Sequence, residues 1–211
     1  MGSCASVQQT ADLGQQITNH RLMAVLPPIT SIHSLEGTNY DDYKRQMKIE
    51  SNSFQEKLIT WFHIAQSQGK IAVNIQDLLM TNDKLKEIGY FDGAQLSVTE
   101  VCEALEVDGL LCSHFHLAQA NTNPDLFQIG AMDKKHKNKV DVNLELFDGL
   151  SKKVIWRYSE KLNSQESFTN DLIAESLMRN AIKRMPYNLK LKIKEDNENE
   201  SIMADKKNLE F

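Results

Sequence analysis

Apolar and polar residues alternate over residues 140–159, and this alternation predicts a β-hairpin. An apolar residue at every second position is typical of a strand with one buried face. Asp148-Gly149 interrupts the alternation within a short polar connection, as a hairpin turn requires. The apolar positions are Val140, Val142, Leu144 and Leu146 on the first strand, and Val154, Trp156 and Tyr158 on the second. Trp156 and Tyr158 are therefore predicted to be core residues.

Three strands and three helices are predicted before the hairpin, and one helix after it. A continuous apolar run over residues 21–28, ended by Pro27 and Pro28, predicts a central strand that is covered on both faces. Residues 40–68 have apolar positions at three- and four-residue steps, which is typical of a helix. Residues 70–75 and 110–118 are predicted as strands, and residues 82–88, 97–106 and 169–185 as helices. Pro186 ends the last of these helices.

The predicted order is β-α-β-α-α-β-β-β-α, which indicates an α/β fold with one mixed β-sheet and packing helices. Local signals support two helix ends: Gly89 follows the helix at 82–88, and Ser97 with Glu100 forms a capping box. We predict a single domain over residues 21–194, a tether over residues 1–20 and a disordered tail over residues 195–211. Residues 189–193 alternate leucine or isoleucine with lysine, which predicts a last strand covering an edge of the sheet.

The net charge of −5 and the pI near 5.7 argue against nucleic acid as a partner. The basic residues at 134–139 form the one cationic cluster of the sequence, and we interpret them as a solvated loop or a contact for phosphate or lipid headgroups. Three cysteines do not make a disulfide framework. Cys102 and Cys112 lie in apolar contexts and are predicted to be small buried hydrophobes.

The N-terminus supports two membrane anchors. Ser3-Cys4 is similar to the junction at which bacterial lipoproteins are cleaved and lipidated on cysteine. That interpretation requires an upstream signal peptide of roughly 15 to 25 residues, with a basic start and an apolar run. Alternatively, Met1-Gly2 followed by Ser6 matches the N-myristoylation pattern, with Cys4 available for palmitate, which would indicate a cytoplasmic adaptor. A third interpretation is that these are vector residues.

Cys112, His114 and His116 alternate on one predicted strand and therefore share a face. Imidazole and thiolate at this spacing are candidate metal ligands, and His33, His63 and Glu145 are the candidates for a fourth. Isolated polar residues on a sheet face need no ligand, so no metal site and no cofactor is assigned. The sequence also lacks a Gly-x-Ser-x-Gly elbow and a glycine-rich phosphate loop, and no catalytic residue is assigned.

Four segments together resemble the TolB amino-terminal-domain superfamily, which includes the curli-secretion lipoprotein and other small envelope lipoproteins of bacteria. These segments are a strand ending in Val25-Leu-Pro-Pro28, the helix-to-strand step at Ala104-Leu-Glu-Val-Asp-Gly-Leu-Leu111, the hairpin at 144–156, and a closing helix ending in Met185-Pro-Tyr187. The resemblance covers roughly residues 20 to 190. It implies a mixed sheet packed by helices, in periplasmic proteins that act as structural or assembly partners.

The resemblance also implies a location and a mode of action. Ala5 and Ser6 follow Cys4, in place of the aspartate that favours retention at the inner membrane in similar lipoproteins. The expectation is a non-enzymatic protein, anchored through Cys4 on the periplasmic side of the outer membrane, that contacts envelope proteins and can form a homo-oligomer. The alternatives are a metal-binding or hydrolytic envelope protein using His114 and His116, and the myristoylated cytoplasmic adaptor.

Overall fold

The predicted hairpin lies at the centre of the sheet. The computed structural model describes residues 4–32, 39–118, 138–164 and 170–188. The strands are β1 (Cys4–Gln9), β2 (Leu22–Val25), β3 (Ile29–Ile32), β4 (Asn74–Ile75), β5 (Gly109–Ala118), β6 (Asn138–Asp148) and β7 (Lys153–Ser164). The helices are α1 (Leu13–Thr18), α2 (Tyr40–Ser67), α3 (Leu78–Glu87), α4 (Val98–Leu105) and α5 (Asn170–Ala181). The α/β class and the mixed sheet are confirmed.

The seven strands form one sheet in the order β1-β7-β6-β5-β2-β4. β5, β6, β7 and β1 pair antiparallel, whereas β2 is parallel to both of its neighbours. β2 is therefore an internal strand, as its apolar run predicts. β3 pairs in parallel with the second half of β5, beyond the point where Pro27 and Pro28 interrupt the pairing of β2.

The two faces of the sheet are covered to different extents. One face packs against α2 and α5 and forms the larger core, in which Trp156 and Tyr158 are at most 1% exposed. This confirms their predicted core positions. The other face is covered at one end, where α3 and α4 pack on β2 and on the beginning of β5. In the described part of the chain, no helix covers the rest of that face.

Residues 4–18, which the polar sequence predicts to be part of a tether, form β1 and α1 instead. β1 pairs with β7 along its whole length, from Cys4 opposite Lys161 to Gln9 opposite Trp156. After a turn, α1 places Leu13 in the larger core. The residues of β1 are weak strand formers by themselves, so pairing with β7 determines their conformation.

Other predicted elements differ in length. α3 begins at Leu78 rather than at residue 82, because the Asp77 side chain accepts hydrogen bonds from the amides of Leu79 and Met80. The strand predicted at 70–75 is reduced to β4 and an isolated bridge from Ile71 to Asn188. The capping box of Ser97 with Glu100 is confirmed. Thr169, the segment 189–193 and the tail 195–211 lie outside the described residues.

Candidate functional site: the open face of the sheet

The uncovered part of the second face is a continuous polar surface built from β3, β5, β6 and β7, with the outward residues of β1 at its edge. The strand register identifies the residues of this surface, because residues directly opposite each other in a sheet share a face. His116 lies between Ser31 and Asp141, and Asp141 lies opposite Lys161. We call this surface the open face: Ile29, Ser31, His114, His116, Asp141, Asn143, Glu145, Arg157, Ser159 and Lys161, with Ser6 and Gln8 on β1.

The polar side chains of the open face bond mainly to one another across the strands. Arg157 Nε donates to Glu145 Oε1 at 2.8 Å, and Ser159 Oγ donates to Asn143 Oδ1 at 2.7 Å. Lys161 Nζ lies 4.0 Å from Asp141 Oδ2. Exposed ion pairs of this kind contribute little to stability. These pairs nevertheless balance the charges of Glu145 and Asp141, so the face has no dominant charge.

One large apolar side chain interrupts this polar surface. Ile29, the first residue of β3, is 60% exposed and lies opposite His114. His114 itself is exposed, and His116 Nδ1 lies 2.8 Å from Ser31 Oγ. Ile29 and the two histidines are therefore the side chains of this face that are most available to contact another molecule.

The candidate metal ligands share a face, as their alternation predicts, but they do not converge. Within the described ranges, no group of three histidine, cysteine, aspartate or glutamate residues could hold a metal ion. Burial, reinforced by Glu145, raises the pKa of the Cys112 thiol to about 12, so this thiol is protonated at neutral pH. His63 lies on α2, on the opposite side of the sheet, and Glu145 bonds to Arg157. His33 lies outside the described residues.

Cys4, the candidate lipidation residue, is the first residue of β1. Its backbone pairs with Lys161 of β7 at the edge of the sheet. No stretch of free chain therefore separates this cysteine from the domain. An acyl group at Cys4 would hold the β1 edge directly at a membrane surface.

His20, Asp148 and Tyr187 form a buried polar cluster that the sequence did not predict. It lies at the C-terminal end of β6, at the other end of the strands from Cys4. His20 Nε2 lies 2.8 Å from Asp148 Oδ1, and His20 Nδ1 lies 2.5 Å from the Tyr187 hydroxyl. An ionised carboxylate only accepts, so Nε2 donates to Asp148; in the neutral imidazole, Nδ1 then accepts from the Tyr187 hydroxyl. The partners are 128 and 167 residues apart in the sequence, which is why no local pattern predicts the cluster.

Two electrostatic effects accompany this arrangement. Burial raises the pKa of Asp148, but hydrogen bonds from His20 and Ser151 outweigh it, and the pKa of that carboxyl lies below its ordinary value. Burial also raises the pKa of the Tyr187 hydroxyl, with Asp148 and Asp108 adding to the effect. Asp148 is therefore an anion and Tyr187 a neutral donor at physiological pH.

The cluster lies beneath a groove of about 600 Å³ between α1, α4 and the β6–β7 turn. Cys102 borders this groove, and burial raises the pKa of its thiol to about 11. His20, Asp148 and Tyr187 are each at most 9% exposed, and their hydrogen bonds join three segments that are distant in the sequence. We interpret the cluster as a structural fastener, and we take the open face as the candidate for function.

No family model and no curated protein matches the chain. Solved structures are similar at low identity. Lipoprotein GNA1162 from Neisseria meningitidis is 11% identical, with 78% of this chain and 97% of that chain covered and a TM-score of 0.44. The PelC dodecamer from Paraburkholderia phytofirmans is 12% identical, with 84% and 92% covered and a TM-score of 0.41. The LpoB C-terminal domain from Salmonella enterica is 8% identical, with 73% and 93% covered and a TM-score of 0.36. These values describe a coarse likeness, and the function proposed below rests on the residues of this chain.

Proposed function

We propose that this protein is a non-enzymatic lipoprotein of the bacterial outer membrane, anchored through Cys4 and facing the periplasm. It acts by contacting other envelope proteins in envelope assembly or secretion. The open face carries the proposal, because it is an exposed surface with balanced charges that spans four strands and carries the exposed side chain of Ile29. Such an exposed surface suits contact with a folded protein.

The anchor is supported by the sequence and by the position of Cys4. Ser3-Cys4 has the form of a lipoprotein junction, and the resemblance to the TolB amino-terminal-domain superfamily favours a periplasmic location. In the described part of the chain, no helix is long and apolar enough to cross a membrane. A lipid on the first residue of β1 would then supply the attachment.

The anchor is tested by expressing the native gene with its own upstream sequence and separating soluble from membrane fractions. Wild-type protein is expected in the outer-membrane fraction, and Cys4→Ser in the soluble periplasmic fraction, because the lipid alone holds the domain. Gly2→Ala, which abolishes N-myristoylation, is the matched control and should leave the fractionation unchanged. Release by Gly2→Ala would instead support the cytoplasmic adaptor.

The contact surface is tested separately, with a photo-crosslinking amino acid placed in living cells. At Asn143 in the centre of the open face, it should form a discrete adduct with an envelope protein. At His63, which is exposed on α2 on the other side of the sheet, it should not. Equal crosslinking from both positions, or none from Asn143, would rule out the open face as the contact surface.

A further inference from the structure

We infer that β1 pairs with β1 of a second copy of this chain, so that the sheet continues across a two-fold axis. This inference goes beyond the proposed function, because it uses the edge of the sheet rather than its open face and does not depend on lipidation of Cys4. It rests on three properties of β1: its free outer side, its lack of protecting residues and its self-complementary register.

In the described part of the chain, β1 is the terminal strand of the sheet and its outer side is unpaired. Only β7 pairs with it among the described residues. Ser6, Gln8 and Gln9 are exposed, and Val7 is 37% exposed. Asn188, the last described residue, bridges Ile71 beside β4, at the opposite end of the strand order.

β1 also lacks the features by which natural proteins protect an edge strand. Exposed edges usually carry charged residues, proline or a bulge that prevents pairing with another chain. The sequence Cys-Ala-Ser-Val-Gln-Gln contains no charged residue and no proline, and its register with β7 is unbroken over six residues. The other margins differ, because β4 has two residues and β3 is held by α2 through the bond from Thr30 Oγ1 to the Met47 carbonyl.

Hydrogen-bond direction identifies the residues of β1 that face outward. Thr10 N donates to the Ile155 carbonyl of β7 at 3.1 Å. In an antiparallel ladder, alternate residues direct both backbone groups to the same neighbour. Gln8 and Ser6 therefore bond to β7, whereas Ala5, Val7 and Gln9 direct their N–H and C=O groups away from it.

These outward groups match those of an antiparallel copy. Placing Val7 opposite the second copy's Val7 also places Ala5 opposite Gln9 in both directions, and each outward N–H then meets an outward C=O. This register keeps equivalent faces of the two sheets on the same side. It covers the exposed Val7 side chain on the helix-packed face and opposes no like charges. Any extended strand supplies such backbone groups, but a second copy also sets Val7 against Val7, and the pairing closes as a two-fold dimer.

A proline at position 7 should prevent pairing between the two copies without disturbing the fold of either. Val7→Pro removes an outward N–H and leaves the bonds of Gln8 and Ser6 to β7 in place. The experiment uses the full chain with Cys4→Ser, analysed by sedimentation over a wide concentration range. The parent chain should reach twice the monomer mass of 24.1 kDa at high concentration, and Val7→Pro should stay monomeric with an unchanged circular dichroism spectrum. Val7→Thr, which keeps both the shape and the N–H, should still dimerise.

A cysteine pair tests the register even if the proline variant does not fold. Opposed residues at a hydrogen-bonded pair lie about 5.5 Å apart between Cα atoms, within the range of a disulfide. Val7→Cys should therefore form an intermolecular disulfide on mild oxidation. Gln8→Cys should not, because its counterpart lies roughly 8 Å away in this register. A monomeric parent chain, a Val7→Pro dimer or equal crosslinking at both positions would each overturn the inference.

Discussion

The Tyr187 hydroxyl offers a direct test of the buried cluster. Tyr187→Phe removes the O–H that donates to His20 Nδ1 and leaves the ring, which is 5% exposed, in place. His20 Nδ1 is then a buried acceptor without a hydrogen-bond donor, which should lower the free energy of unfolding by about 1–3 kcal/mol. For a chain of this length, that corresponds to a fall in Tm of about 2–12 °C. Urea unfolding followed by circular dichroism measures the free energy directly.

A matched variant shows whether this loss comes from the hydrogen bond. Tyr40→Phe makes the same chemical change at a side chain that is 66% exposed, and it should alter the free energy of unfolding by no more than about 0.5 kcal/mol. Equal effects of the two substitutions would mean that the Tyr187 hydroxyl does not stabilise the fold. The interpretation of His20 as a fastener would then be wrong.

Three further predictions concern the cluster and the open face. Gly109→Ala should destabilise the fold by about 1–3 kcal/mol, because the added Cβ would lie 3.2 Å from the buried imidazole of His20. A Cβ added at Gly14 in α1 would meet no atom within 4 Å, so Gly14→Ala should stabilise the fold by up to about 1 kcal/mol. Urea unfolding of the two variants measures both effects. The pKa of Asp148 is lowered in the folded state, so the ionised carboxylate stabilises the fold above about pH 4, and this stabilisation is lost as the pH falls through the folded-state pKa. Asp148→Asn should therefore lose less stability than wild type on acidification. Thermal unfolding across that pH range measures the difference. Elemental analysis of the purified protein should find no stoichiometric transition metal. The double substitution His114→Ala with His116→Ala should lower the free energy of unfolding by no more than about 1 kcal/mol. Roughly one zinc per chain, lost in the double variant, would favour the metal-binding alternative.

The main elements follow from hydrophobic periodicity because their own side chains form the core. The hairpin, α2 and α4 each present an apolar face that the fold buries, so sequence and structure agree on them. The start of α3 differs from the prediction because Asp77, five residues before the predicted start at residue 82, caps the helix. Local signals of this kind are visible in the sequence, but they compete with others of equal strength.

Elements and sites that depend on distant partners were not predictable in this way. β1 has few apolar residues, and β7, about 150 residues later in the chain, determines its conformation. β3 follows two prolines and is a strand because β5 extends past the end of β2. The contact between His20 and Asp148 likewise exists only in the folded chain. Alternation did place Cys112 and the two following histidines on one face, but it carried no information about what covers that face.

The two proposals together constrain how the protein would sit on a membrane. A single anchor at Cys4 lets one domain rotate about its attachment. In the β1 pairing centred on Val7, Cys4 lies opposite Thr10 of the second copy, so the two anchors are separated by six residues, or about 20 Å, along the strands. Two anchors related by an axis perpendicular to the sheet would orient both domains, because each must reach the same membrane surface. The open faces of the two copies would then point in one direction, on the side of the sheet to which Cys4, opposite Lys161, also belongs.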